Sequence, residues 1–425
     1  MATPTIEDHG LLRFITCGSV DDGKSTLIGR LLFDSKAILA DAMQALETSS
    51  RKRGLSEVDL SLLTDGLSAE REQGITIDVA YRYFSTGRRK YILADAPGHE
   101  QYTRNMVTGA STADLAIVLL DARKGVLAQT RRHLTLAHLM GIRHVVVAVN
   151  KMDLAGYAEA VFQDHQTQVW AFAKRLGIPE LVFIPMSALK GDMVVHRGEQ
   201  LGWYQGPTLM EHLEALELDE LTATLAFRFP VQRVCRPRTE AHPDYRGYQG
   251  RVESGRVAPG DAVVALPSGV RTRIRRVEFF GADLPEAVAG QSVTLHLEDE
   301  VDLSRGDLLA GVNQAPVPAR EVQATLCWLG DRPLEPLDRL LLRHGATEVR
   351  AKVTAIGGRL DLHTLALEPT QELRMNDIAS VTLRLQHPIA PDPYNHIRPG
   401  GAFILVHEAT HATVAAGMVV FPDAY

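Results

Sequence analysis

Cysteine is scarce in this sequence of 425 residues. The three cysteines, Cys17, Cys235 and Cys327, lie far apart, and no two of them form a CxxC pair. This spacing provides neither a disulfide framework nor a zinc ribbon. It is typical of reduced thiols in a cytosolic protein.

Long apolar runs are also missing. No stretch approaches the ~18 consecutive apolar residues that a membrane span requires. The N-terminal segment MATPTIEDHGLL carries acidic residues and has no apolar stretch of signal-peptide length. The net charge of −7 gives no excess of Lys and Arg for phosphate contacts with nucleic acid. We therefore expect a soluble, cytoplasmic protein with no membrane and no nucleic-acid partner.

The first half of the chain alternates strand-like and helix-like segments. Helical patterns with one apolar face occur at SKAILADAMQALETSS (35–50) and QTRRHLTLAHLMG (129–141). Short apolar runs, which suit strands buried on both faces of a parallel sheet, are LRFITC (12–17), YILAD (91–95), LAIVLLD (115–121), HVVVAVN (144–150) and LVFIP (181–185). The alternation predicts an α/β domain with a doubly wound, mostly parallel sheet.

The pattern changes after about residue 220. Short alternating strands separated by Gly and Pro follow, for example in 246–266 and 269–281, and they are typical of a small β-barrel. The Pro-rich segment VNQAPVPAR (312–320) is predicted to be a linker, and a second β-rich block follows it. The predicted domains are the α/β domain (1–220), a first β-barrel (221–313) and a second β-barrel (314–425).

The segment GSVDDGKST matches the phosphate-binding pattern G-x-x-x-x-G-K-[ST]. It follows a predicted strand and precedes a predicted helix, which is the context that the pattern requires. Its glycines let backbone amides surround phosphates, Lys24 would reach the β- and γ-phosphates, and the Ser25 hydroxyl would ligate Mg²⁺. The predicted phosphate-binding residues are Gly18, Ser19, Val20, Asp21, Asp22, Gly23, Lys24, Ser25 and Thr26.

Two further segments select the base. In NKMD (150–153), the Asp153 carboxylate can accept hydrogen bonds from N1–H and the N2 amino group of guanine, a donor pair that adenine lacks. Asn150 would brace this loop and contact the base, and the stem of Lys151 would lie over the ring. The second segment consists of Ser187, Ala188 and Leu189. There the backbone N–H of Ala188 could meet guanine O6, so the predicted nucleotide is GTP, and residues 1–220 form a GTP-binding domain.

Two more segments have the residues to sense the γ-phosphate. In DAPGHE (95–100), Asp95 is placed to hold Mg²⁺ through water, the Gly98 amide can contact the γ-phosphate, and His99 would lie beside the attacking water. In REQGITI (71–77), Thr76 can complete the Mg²⁺ and γ-phosphate contacts. Segments that are ordered only while the γ-phosphate is bound are switches. The first segment contributes Asp95, Ala96, Pro97, Gly98 and His99, and the predicted metal ligands are Ser25, Thr76 and Asp95.

Together these five motifs resemble the translation-factor class of GTPases, which contains elongation factor Tu. REQGITI, DAPGHE with a histidine after DxPG, and two following β-barrels mark the resemblance. It implies that His99 orients the attacking water and that Val20 and Ile75 form an apolar gate beside it. The implied catalytic residues are Val20, Lys24, Ile75, Thr76 and His99.

From about residue 12 to 420, the chain is similar to the large subunit of the two-subunit sulfate adenylyltransferase. The similarity lies in 63–111, 120–133, DYRGYQGRVESGRV (244–257) and HPIAPDPYNHIRPGGAFIL (387–405). It implies a small partner subunit that transfers the adenylyl group of ATP to sulfate and releases adenosine 5′-phosphosulfate and pyrophosphate. GTP hydrolysis on this chain would drive that step through coupled conformational states.

Some relatives of this kind carry a fused adenylylsulfate kinase domain after the last barrel. The chain stops at Tyr425 and has no second G-x-x-x-x-G-K-[ST] pattern. We therefore expect it to lack the kinase activity.

Two other interpretations remain open. A translation GTPase that delivers aminoacyl-tRNA shares the fold and all five motifs, but such proteins usually have GHVDHGKT, where this chain has Ser19 and Asp22 in place of the two histidines. The net charge and residues 121–133 also favour the sulfate-activating subunit. A regulatory switch would bind an effector in a nucleotide-dependent way without raising the product yield of any partner.

HEATH (407–411) matches the zinc-protease pattern H-E-x-x-H, which needs a helix to point both histidines one way. Its β-branched surroundings predict strand and turn instead. We expect no zinc site there.

Overall fold

The structure is a computed structural model that describes residues 10–36, 60, 78–99, 102–178, 180–218, 221–237, 245–335, 338–362 and 364–421. The chain divides into two compact units. The first comprises Met1–Leu218 with Leu362–Leu365, and the second comprises Asp219–Asp361 with Ala366–Tyr425. The domain boundaries expected after residues 220 and 313 stay predictions. No helix in the described ranges is long and apolar enough to cross a membrane.

A six-stranded sheet forms the centre of the first unit. Its strands are β1 (Leu11–Cys17), β2 (Ala80–Ser85), β3 (Lys90–Asp95), β4 (Leu115–Asp121), β5 (His144–Asn150) and β6 (Glu180–Pro185). Their order is β2-β3-β1-β4-β5-β6, and all neighbours pair in parallel except β2, which runs antiparallel to β3 at the edge. The five parallel strands are the five predicted apolar runs. β2 was not predicted, because its side chains are mostly exposed or half-exposed and form no continuous apolar run.

Helices cover this sheet and bury its apolar faces. They are α1 (Lys24–Asp34), α2 (Thr103–Ala110), α3 (Ala128–Leu139), α4 (Glu159–Leu176) and α5 (Leu209–Ala215). α3 coincides with the helix predicted at 129–141. It ends before Gly141, because the φ of 70° at this residue is incompatible with a right-handed helix. Residues 37–50, where another helix was predicted, lie outside the described residues.

The centre of the sheet explains where the site lies. All seven residues of β4 are buried, which a strand covered on both faces requires. Because five strands run parallel, their carboxyl ends meet at one edge of the sheet, where ligands bind in open α/β folds. The phosphate loop, the segment 95–99 and the two base-binding segments all follow strands at this edge.

In the second unit the chain forms two closed barrels. The part of the chain that forms the first contains the strands β7 (Arg228–Cys235), β8 (Gly247–Arg251), β9 (Arg256–Val257), β10 (Ala262–Leu266), β11 (Val270–Phe279), β12 (Ala282–Leu284), β13 (Ala287–Val288), β14 (Ser292–Leu297) and β15 (Leu308–Gly311), of which β9 and β13 pair with each other in a separate two-stranded sheet. Those of the second are β16 (Ala319–Trp328), β17 (Leu340–His344), β18 (Thr347–Leu360), β19 (Leu367–Glu368), β20 (Ile378–Ile389), β21 (Ala402–His407) and β22 (Thr413–Val419). Two short helices, α6 (Leu221–Thr224) and α7 (Arg398–Gly401), accompany them.

Each barrel closes on six strands. The first runs β10-β15-β7-β8-β14-β11 and closes through β10–β11, and the second runs β17-β21-β22-β16-β20-β18 and closes through β17–β18. Alternation along β11 shows the barrel pattern, since Thr272, Ile274 and Val277 are buried while Arg271 and Arg273 are exposed. The prediction of an α/β domain followed by two β-barrels is confirmed.

A buried ion pair joins the two barrels. Arg228 on β7 and Asp392, which follows β20, are each 4% exposed. The guanidinium donates from Nε to Oδ2 at 2.9 Å and from Nη2 to Oδ1 at 2.7 Å. Further guanidinium N–H groups reach the carbonyl oxygens of Phe227 and Gln314. Because both charges are out of water, each depends on the other for compensation.

HEATH is strand and turn, as predicted. His407 is the last residue of β21, a turn follows it, and β22 begins at Thr413. The His407 Nδ1 atom accepts a hydrogen bond from the Thr410 N–H at 3.2 Å. A segment of this shape does not present both histidines on one helix face, which the zinc-protease pattern needs.

Candidate functional site: the loops at the carboxyl edge of the sheet

Residues 18–23 form a tight loop between β1 and α1. Asp21 and Gly23 have φ angles of 67° and 92°. The Asp22 N–H donates to Ser19 O at 3.3 Å, and the Ser19 N–H donates to Asp22 Oδ2 at 2.6 Å. Position 23 requires glycine, because a Cβ there would collide with the side-chain amide of Asn150. The loop leads directly into the N-terminus of α1, an arrangement that binds phosphate.

Lys24 begins α1, and its ammonium lies across the loop. It donates to Gly18 O at 2.8 Å and to Ser19 O at 3.1 Å. Burial lowers the pKa of Lys24, while the nearby carboxylates of Asp95 and Asp22 act in the opposite direction. The ammonium is therefore held among acceptors inside the loop, where an anionic phosphate oxygen can replace them.

The segment after β3 reaches the phosphate loop. Asp95 ends β3 and is buried. Gly98 approaches so closely that a Cβ there would collide with Lys24 Nζ and Gly18 O. Only glycine allows this approach. His99 is exposed, and its ring lies edge-on to that of Tyr102 with the ring centroids 6.1 Å apart.

Asn150 connects the phosphate loop to the base-binding segments. It ends β5 and is 1% exposed. Its Nδ2 donates to Asp22 O at 2.8 Å, and its Oδ1 accepts the Ala188 N–H at 2.9 Å. Lys151 follows with a left-handed φ of 62°, and its ammonium donates to Asp21 O. Two adjacent side chains thus hold three loops together.

Asp121 is a site residue that the sequence analysis missed. It ends β4 with a buried carboxylate, which Arg123 contacts through Nη2 at 2.7 Å and Nε at 3.0 Å. The Lys151 Nζ lies 3.1 Å from Asp121 Oδ2. Burial alone would raise the pKa of Asp121, but the hydrogen bonds from Arg123 and Lys151 outweigh it and hold the pKa well below its usual range. The signal in the sequence was an acidic residue ending an otherwise apolar strand.

Two more contacts that no sequence pattern indicated shape the second base-binding segment. Arg30 on α1 donates from Nε to Ala188 O at 3.3 Å and from Nη2 to Leu189 O at 2.7 Å. The Tyr157 hydroxyl donates to Asp192 Oδ2 at 2.6 Å, just beyond the segment. The carbonyls of this segment are thereby turned toward α1.

The structure brings most of the predicted site residues together. The phosphate-loop residues, the segment 95–99, Asn150, Lys151 and the segment 187–189 lie at the carboxyl edge of the sheet. Asp153 lies in a 3₁₀ turn, Met152–Ala155, and is half-buried. Ile75 and Thr76 lie outside the described residues.

These residues fit a nucleoside triphosphate with Mg²⁺. Gly98 lies so close to the loop that a Cβ there would collide with Lys24 Nζ and Gly18 O, and Lys24 supplies a cation. In the described ranges, no group of three or more His, Cys, Asp and Glu side chains could hold a metal ion. A Mg²⁺ at Ser25 and Asp95 would therefore complete its shell with phosphate oxygens and water, as this ion typically does.

Comparison with known proteins gives the class and the family. Profiles match for the elongation factor Tu GTP binding domain at 9–225, elongation factor Tu domain 2 at 248–310 and a GTP-eEF1A C-terminal domain-like region at 321–420. With the fold and the arrangement of these loops, they define a GTPase of the elongation factor Tu class. "Sulfate adenylyltransferase subunit 1" of Alteromonas mediterranea is 50% identical over 97% of this chain and 88% of the relative, and that of Chromobacterium violaceum is 52% identical over 97% and 87%. The chain belongs to the family of sulfate adenylyltransferase subunit 1.

A longer relative has the same similarity. "Bifunctional enzyme NodQ" of a Rhizobium species is 52% identical over 97% of this chain. The chain spans 64% of the length of that relative. The relatives named subunit 1 confirm, at the level of the family, the resemblance inferred from the motifs in the sequence.

Proposed function

We propose that this chain is the GTP-hydrolysing subunit of a sulfate adenylyltransferase. GTP hydrolysis on it would drive the transfer of the adenylyl group of ATP to sulfate on a small partner subunit, which releases pyrophosphate. The observation that carries this proposal is the identity of about half of all residues to proteins named subunit 1, over 97% of this chain. Sulfate is a poor nucleophile, and its anhydride with AMP lies higher in energy than the ATP anhydride, so the step needs such a coupled source of free energy.

Residues 150–153 and 187–189 would recognise the base. The Asp153 carboxylate would accept both guanine donors, and a base without them would leave a charge unpaired. The Ala188 N–H already donates to Asn150 Oδ1 at 2.9 Å. A contact with guanine O6 would therefore share this N–H in a three-centre hydrogen bond or use the adjacent N–H of Leu189.

The phosphate loop and the segment 95–99 would bind the phosphates and carry out the hydrolysis of GTP. Mg²⁺, held by Ser25 and Thr76 directly and by Asp95 through water, would neutralise charge on the phosphates. Lys24 would leave Gly18 O and Ser19 O to bind phosphate oxygens. His99 would orient the attacking water, with Val20 and Ile75 as the apolar gate that the family resemblance implies.

The packing of Gly98 suggests how nucleotide state reaches a partner. Gly98 lies against Lys24 Nζ and Gly18 O, so a γ-phosphate that draws Lys24 away also changes the contacts of the segment 95–99. A segment with two arrangements, one for each nucleotide state, is what coupling requires. The small subunit would bind the two states with different affinity.

The test is the formation of adenosine 5′-phosphosulfate from ATP and sulfate by this chain together with its candidate small subunit. We expect GTP to raise the yield and to be consumed with it, while a non-hydrolysable GTP analogue does not. If no product forms and the chain instead binds aminoacyl-tRNA with GTP, it is a translation factor. Nucleotide-dependent binding of an effector without any gain in product would make it a regulatory switch.

A further inference from the structure

A carboxylate is buried inside the phosphate loop. Asp22 is 1% exposed, and its Oδ2 accepts the Ser19 N–H at 2.6 Å. Its Oδ1 is buried and has no hydrogen-bond partner in the described ranges, and the same holds for the Ser19 hydroxyl. An unpartnered buried acceptor is unfavourable, most of all when it carries charge. Protonation of Asp22 would remove this unpaired charge from the interior of the loop.

Charged groups of both signs surround Asp22. Lys24 and Lys124 favour its ionised form, Asp121 opposes it, and Asn150, which contacts the Asp22 carbonyl from β5, is neutral. Burial is the largest effect, and it raises the pKa of Asp22 to about 6. Near neutral pH, a modest additional negative potential is enough to protonate this carboxylate.

Nucleotide binding supplies such a potential; this step rests on the proposed function. A triphosphate brings several negative charges to the loop, and Mg²⁺ offsets only two of them. Lys24, which now favours the ionised carboxylate, would turn toward the phosphates. Both changes favour the neutral acid, which still accepts the Ser19 N–H through its carbonyl oxygen.

We propose that Asp22 takes up a proton when a nucleoside triphosphate enters the loop, so that the affinity of this site for nucleotide is linked to pH. Binding would be tighter at the acid side of neutrality and would weaken as the pH rises. The charge of the loop is then adjusted by a residue of the loop itself.

Calorimetry measures the proton directly. A non-hydrolysable GTP analogue with Mg²⁺ is titrated into the protein at pH 7 in two buffers of different ionisation enthalpy, and the difference in heat gives the protons taken up. We expect the wild type to take up more protons than Asp22→Asn, by up to about one proton. Between pH 6 and 8, its affinity should fall more steeply than that of the variant, by up to ~10-fold per pH unit. Titration of the nucleotide itself cancels in this comparison.

Asp21→Asn is the matched control, because Asp21 is an exposed carboxylate in the same loop. Whatever its effect on affinity, it should retain the proton uptake. If wild type and Asp22→Asn bind the analogue with equal proton uptake, the inference is wrong and the proposed function stands. If the wild type binds no guanine nucleotide, the proposed function itself fails. Should Asp22→Asn not fold, ¹³C NMR of the wild-type carboxyl decides, and a pKa unchanged by the analogue would overturn the proposal.

Discussion

Replacing Asn150 with alanine should separate the phosphate loop from the base-binding segment. The Asn150 amide is the shared partner of the Asp22 carbonyl, at 2.8 Å, and the Ala188 N–H, at 2.9 Å. Its burial at 1% exposure means that water does not replace it without rearrangement. The substitution leaves one buried acceptor and one buried donor without a partner.

The magnitude follows from these two groups. A buried polar group that loses its partner costs about 1–3 kcal/mol, so the two together cost about 2–6 kcal/mol. Loops at an edge of the sheet relax in part, and we take the lower range, about 2–4 kcal/mol. If this falls on nucleotide binding, Kd rises by roughly 30- to 1,000-fold.

A fluorescent GDP analogue measures this affinity, and urea denaturation of the nucleotide-free protein measures any part that falls on stability. Asn395→Ala is the matched control, because the same side chain is exposed there. It should change neither quantity. An Asn150→Ala variant with wild-type affinity and wild-type stability would refute the role of this amide as the connection between the loops.

Three further substitutions test other parts of the structure. His99→Ala should keep nucleotide binding and lose most single-turnover GTP hydrolysis; full turnover would remove His99 from the mechanism. Asp392→Ala should lower the free energy of unfolding by about 3–5 kcal/mol in urea, because it leaves the Arg228 guanidinium buried and uncompensated; unchanged stability would contradict that burial. Asp22 has a pKa raised by burial from 3.8 to about 6, so its stabilising contribution is present below pH 4 and lost as the pH rises through 6. Relative to Asp22→Asn, the nucleotide-free wild type should therefore lose about 2–2.5 kcal/mol between pH 4 and pH 7, and parallel pH profiles would contradict the shift.

The parallel strands and the nucleotide-binding loops could be predicted from short patterns in the sequence. The five parallel strands appear as apolar runs because a strand covered on both faces needs apolar residues at successive positions. The phosphate loop and NKMD appear as short motifs because neighbouring backbone and side-chain groups do the binding. Both kinds of signal lie within a few residues of the feature they indicate.

Contacts between distant segments could not be predicted in this way. Arg30 reaches the Ala188 and Leu189 carbonyls, and Arg228 reaches Asp392, 164 residues further along the chain. No periodicity links such partners, since the fold alone brings them together. β2 was missed for a different reason, because an edge strand with exposed side chains has a weak apolar signal.

Exchange of the nucleotide tests most directly whether hydrolysis on this chain drives sulfate activation. Asp153→Asn should lose affinity for GTP and gain it for xanthosine triphosphate, because the guanine donors lose their acceptor while the O2 atom of xanthine gains a donor. With the small subunit, we expect this variant to form adenosine 5′-phosphosulfate with xanthosine triphosphate and little with GTP, and the wild type to do the reverse. If GTP raises the yield equally with wild type and variant, the driving nucleotide is bound elsewhere and the central claim is wrong.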